Sequence, residues 1–95
     1  MSLQEIKDVL LNVKHPAINN SLINLGIVSN IDLIENTVSV VFAFPFPNIP
    51  IAEQLVALIE NPVKEMGLDF DYTIRVMTDE ERALFMQLEQ EGWIG

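Results

Sequence analysis

The sequence predicts an α+β domain: a small mixed three-stranded sheet with helices packed on it, in the order helix-strand-strand-helix-strand-helix. Three observations carry this. Val38, Val40, Phe42 and Phe44 alternate with Ser39, Val41 and Ala43, the period-two pattern of a strand. Leu68, Phe70, Tyr72, Ile74 and Val76 alternate strictly with Asp69, Asp71, Thr73 and Arg75. Between the two, Ala52, Leu55, Val56 and Ile59 fall at i, i+3, i+4 and i+7, one stripe of a helix. A hairpin, a crossover helix and a third strand then give a mixed sheet with helices on one face.

The first helix is expected over Ser2–Val13, with Leu3, Ile6, Leu10 and Val13 as its apolar stripe. Ser2 and Glu5 have the spacing of a capping box, and His15-Pro16 stops the helix. Asn19, Asn20 and Ser21 make a polar loop. Leu25–Ile34 reads as the first strand, with Gly26 suggesting a bulge near its start. Glu35-Asn36 is a two-residue turn in which Asn36 suits a positive φ. Pro45, Pro47 and Pro50 end the second strand, and Pro50 suits the first turn of the helix that follows. Pro62 predicts a kink or short break in that helix, and Gly67 its stop. Thr78 with Glu81 forms a second capping box, opening a last helix to about Glu91. Trp93, Ile94 and Gly95 are left as a tail, either folded back on the domain or partly exposed as an anchor. The whole chain, 1–95, is expected to be a single domain with a C-terminal helix and tail over 79–95.

With 49% hydrophobic residues in a chain of 95, one core is expected and disorder is not. The net charge of −9 argues against nucleic acid and against anionic membrane surfaces. No apolar run approaches the ~20 residues of a transmembrane helix, and no secretory signal is visible, so the cytoplasm is the expected location. The absence of cysteine removes thiolate nucleophiles and thiolate metal sites within one chain.

Candidate chemistry is sparse. His15, the sole histidine, is too little for a transition-metal site and reads as a helix-terminal residue facing the dipole's negative end. Asp69 and Asp71 share a strand face, which reads as solvated and partly compensated by Arg75 rather than as a cation site. Asp79, Glu80 and Glu81 fit the first turn of a helix. No serine lies in a G-x-S-x-G context and no P-loop motif is present, so no catalytic or metal residue is assigned.

Taken together, Val9-Leu10-Leu11, His15-Pro16, Ile23-Asn24-Leu25-Gly26-Ile27-Val28 and Phe46-Pro47-Asn48-Ile49-Pro50 before Leu55 resemble the MIP18-like, DUF59 or PaaD-type domain of iron–sulfur assembly systems. The same domain stands at the N-terminus of Mrp-type ATPases. The resemblance covers roughly residues 3 to 77 and implies the fold, the proline loop and a role in cluster assembly. Two positions differ from the family pattern. His15-Pro16-Ala17 stands where members often have Asp-Pro-Glu, and Ile49 stands where many have a cysteine. The acidic and thiol functions therefore do not carry over to these positions.

The function expected on these grounds is a non-catalytic accessory or scaffold module that needs no cofactor. Its surface would be Phe46, Pro47, Asn48, Ile49 and Pro50, with Trp93. The partner would be an Mrp-type ATPase or an iron–sulfur scaffold, met in trans, and a homodimer is also allowed. The alternative is a small ligand-binding domain or enzyme using a pocket at the proline loop and helix N-terminus, where unpaired amides converge.

Overall fold

In the computed structural model, which describes residues 2–94, the chain forms α1 (Leu3–Leu10), β1 (Val28–Ile34), β2 (Thr37–Phe44), α2 (Ala52–Glu65), β3 (Asp69–Val76) and α3 (Asp79–Gly92). Met1, and Gly95 of the expected tail, lie outside the described residues. The sheet order is β1-β2-β3, with β1 antiparallel and β3 parallel to β2. This is the predicted α+β architecture.

Register explains where the core sits. Val38, Val40, Phe42 and Phe44 of β2 stand beside Phe70, Tyr72, Ile74 and Val76 of β3, and Val40 and Val38 beside Ile31 and Leu33 of β1. Residues paired across a ladder share a face, so this row makes one apolar surface. Ile6 and Leu10 of α1 and Leu55, Ile59 and Val63 of α2 are buried with it. Each such side chain taken out of water contributes roughly 1.5–3 kcal/mol.

Both capping boxes form: the Ser2 hydroxyl accepts from the Glu5 amide, and the Thr78 hydroxyl from the Glu81 amide. Gly67 closes α2 at φ +79°, where a side chain would be strained. Elsewhere the structure corrects the sequence. α1 ends at Leu10 rather than Val13, because tight bonds from Asn12 to Val9 and Val13 to Leu10 turn the chain toward a bridge between Lys14 and Ser21. β1 begins at Val28, not Leu25. Leu22–Gly26 is a turn that needs Gly26 at φ +81°, and the bulge falls between Val28 and Asn30. That extra residue lets Val28 and Ile31, three apart, both face the core.

In the hairpin turn the positive φ falls on Glu35 rather than Asn36. Pro50 lies ahead of the helix, whose N-cap is Ile51, and α2 continues through Pro62 without a break. Breaking the helix there would expose Val63, which is fully buried, so packing overrides the proline. On β3, Tyr72, Ile74 and Val76 remain 44–53% exposed despite their apolar alternation, because β3 is an edge strand that α2 covers only in part.

Arg75 does not compensate Asp69 or Asp71. Its guanidinium forms a two-pronged pair with Glu81, 2.8 Å to each oxygen, and reaches Ser29 on β1 at 2.9 Å. The Arg75 hydrogen bond, with the Thr78 amide next, pulls the Glu81 carboxyl down to about 2. A carboxyl depressed on folding adds stability that is present above its unfolded value near 4.5 and lost as pH falls through about 2. Glu81→Gln is therefore expected to flatten the loss of stability between those pH values, measured by thermal melts in a pH series. An unchanged acid limb would contradict it.

Candidate functional site

The most built-up feature outside the core is an open cavity of about 280 Å³ at the end of the sheet where β2 runs into the proline loop. Its floor is Ile27, Phe44, Leu55 and Phe85, and its rim carries His15, Phe46, Ile49, Met86, Glu89 and Trp93.

The loop side is held by α3. Pro45 is buried as the strand ends, and its carbonyl accepts from Arg82 Nε at 2.7 Å. Arg82 also donates to the Met77 carbonyl at 3.3 Å and to Asp79 at 2.9 Å. Its guanidinium carbon lies 5.6 Å from the centre of the Phe46 ring, a cation–π contact. Phe46 is nevertheless half exposed. Asn48, at φ 60°, bends the chain back, so that the Ile49 carbonyl accepts from the Ala52 amide. α2 has no side-chain cap at Ile51.

The far side is held by the tail. Gly92 accepts from the Asn19 amide at 2.7 Å, and the Ile94 amide donates to Ala17 at 3.2 Å, framing a bridge between Ile18 and Trp93. A Cβ at Gly92 would meet Ile18 Cγ2 at 3.1 Å and the Asn19 nitrogen at 3.3 Å, so a glycine suits this close approach. The backbone folds back while the Trp93 ring stays 55% exposed. The two readings of the tail are thus divided between its backbone and its side chains.

His15 is a wall of this cavity and not a helix-end residue, since α1 stops at Leu10. Its Nδ1 accepts from the Ala17 amide at 3.0 Å, which puts the proton of the neutral ring on Nε2. Burial holds the imidazole below its usual range, and Glu89 partly opposes this.

Of the sequence-predicted residues, Phe46, Ile49 and Trp93 come together around the cavity. Pro47 and Asn48 face a second depression with Ile74, Arg75 and Val76, and Pro50 is exposed at the entrance to α2. Sequence reasoning missed Arg82, Phe85, Met86, Glu89 and the part played by His15. The signal available for α3 was Phe85 and Leu88 three apart, which marks its inward side.

The cavity's titratable side chains are one imidazole and one carboxylate in a mostly apolar wall. They are neither a nucleophile–base pair nor a set of iron–sulfur ligands, for which thiolates are usual. Among the described residues no three His, Cys, Asp or Glu side chains are grouped to hold a metal ion. No described helix is long and apolar enough to cross a membrane.

A comparison with curated proteins finds no match. Among solved structures, one titled as a domain of unknown function, DUF59, from Bacillus anthracis is similar with a TM-score of 0.61. It covers 90% of this chain and 89% of that chain at 19% identity, a likeness of fold. The model of the iron–sulfur cluster assembly protein family matches residues 3–76, from the start of α1 to the end of β3. The chain belongs to the iron–sulfur cluster assembly protein family.

Proposed function

We propose that this chain is a non-catalytic accessory or scaffold module of iron–sulfur cluster assembly, acting in the cytoplasm as one domain through a protein partner. The partner is an Mrp-type ATPase or an iron–sulfur scaffold, and the cluster is cargo held by that partner's ligands. The observation that carries this reading is the pair Phe46 and Trp93, both half exposed, on the rim of one apolar cavity. Aromatic anchors beside an apolar pocket are the usual centre of a binding hot spot. The cavity's lack of a ligand set favours docking over holding a cluster.

The test is calorimetric titration of the purified protein into a purified Mrp-type ATPase and into an iron–sulfur scaffold. Phe46→Ser and Trp93→Ala are each expected to weaken binding about 30-fold, or ~2 kcal/mol. Folding stability should change little, by about 0.5–1 kcal/mol for the lost Arg82 contact in the Phe46 variant. Unchanged affinity, or a stability loss of several kcal/mol, would retire the reading. A small ligand-binding domain is the second reading. It is favoured by the volume of the cavity, near the ~300 Å³ lower end of ligand pockets.

A further inference from the structure

We propose that β3 is the pairing edge of a homodimer, in which two copies join antiparallel about a twofold axis at Thr73. The two edges of this sheet are treated differently. β1 carries a bulge between Val28 and Asn30, a common way of spoiling an edge for pairing. β3 has eight regular residues with no bulge, no proline and no lysine. Three apolar side chains along it, Tyr72, Ile74 and Val76, stay about half exposed.

Backbone geometry fixes what the edge offers. The amides of Asp69 and Met77 donate inward, to Asn36 and Phe44, so the odd-numbered residues of β3 face β2. The even-numbered residues Phe70, Tyr72, Ile74 and Val76 present their amides and carbonyls outward. In keeping with this, the Tyr72 amide is taken by the neighbouring Asp71 carboxylate, and Arg75 donates to the Val76 carbonyl at 3.3 Å.

A partner strand must bond to these outward groups and keep the apolar residues on one face. A second β3, run antiparallel and centred on Thr73, does both. Phe70 then stands opposite Val76 of the other copy, and Tyr72 opposite Ile74, so every outward residue of one copy meets one of the other. On the other face Asp71 stands opposite Arg75, whose guanidinium keeps its pair with Glu81, whereas a parallel arrangement would set carboxylate against carboxylate. Charge therefore selects the antiparallel register, and the apolar row supplies the area. Each copy carries −9, so the dimer is to be sought at physiological ionic strength, where repulsion beyond about 8 Å is screened. This inference does not rest on the cavity or its partner.

The chain has no cysteine, so one introduced thiol reports the register directly. At a non-hydrogen-bonded antiparallel pair, Cα atoms lie about 4.5 Å apart, within disulfide range. Thr73→Cys, oxidised with copper–phenanthroline, is expected to give a covalent dimer on non-reducing gels. Asp69→Cys, far from the axis, should stay monomeric under the same conditions. Sedimentation velocity should show the wild type shifting to twice the monomer mass as concentration rises. Asp71→Lys, which sets a lysine opposite Arg75, should raise the dissociation constant at least tenfold without unfolding the protein, since Asp71 is exposed. Thr73→Cys linking no faster than Asp69→Cys, Tyr72→Cys linking faster than Thr73→Cys, or a wild type that stays monomeric would each overturn the proposal.

Discussion

Phe42→Ala is expected to remove about 3–5 kcal/mol of folding stability, the usual cost of deleting a buried phenylalanine ring. Phe42 is fully buried in the middle strand, between Val28 of β1 and Ile74 of β3. Its ring stacks on Phe44 with centroids 6.1 Å apart and meets the edge of Tyr72 at 5.8 Å. Ladders on both sides hold β2 in place, so the sheet cannot close over the space left behind. A domain of this size has only ~5–15 kcal/mol in total, so much of the population unfolds under mild denaturant. Urea titration followed by circular dichroism measures it. A loss below about 1.5 kcal/mol would mean that the site collapses and that the packing around Phe42 is loose.

Arg82→Ala should cost about 2–3 kcal/mol, because hydrogen bonds from a charged group contribute roughly 1.5–3 kcal/mol and a cation–π contact adds to them. Arg82 joins α3 to the rest of the protein through the carbonyls of Pro45 and Met77 while holding the Phe46 ring. Its ion pair with Asp79 contributes little, since Asp79 is fully exposed. Arg82→Lys should recover only a small part, because an ammonium group cannot serve two carbonyls and a ring with one planar fork. Chemical denaturation of the three proteins, with partner titration beside it, measures both effects. Arg82→Ala should also weaken partner binding by freeing Phe46, even where the protein stays folded. Stability within 0.5 kcal/mol of wild type would show that Arg82 does not hold α3.

How far the sequence is legible depends on which side chains speak for themselves. The alternation in β2 reports both its conformation and its burial, since the helices cover one face and both neighbours are present. The same alternation in β3 reports the strand but not its exposure, because burial there depends on how far α2 reaches over an edge. Local chemistry reads well where it acts within four residues, as in both capping boxes and the glycine stop at Gly67. It fails where tertiary bonds decide, as at the start of β1, where a turn and a bulge replace an apparently regular strand. Of the site, the sequence marked Phe46, Ile49 and Trp93 from their types and surroundings. It placed His15 at a helix end and left out Arg82, because the lining of the cavity by the one and the bond to the loop by the other arise across long separations in the chain.

The bridge between Ile18 and Trp93 has an optical consequence. Trp93 is the sole tryptophan, fastened by its backbone to the Ala17–Asn19 segment while its ring stands beside His15, Glu89 and the open cavity. Its emission therefore follows two local events that circular dichroism passes over: release of the tail from that segment, and exclusion of water when something fills the space next to the ring. The protein carries its own fluorophore at the mouth of that cavity.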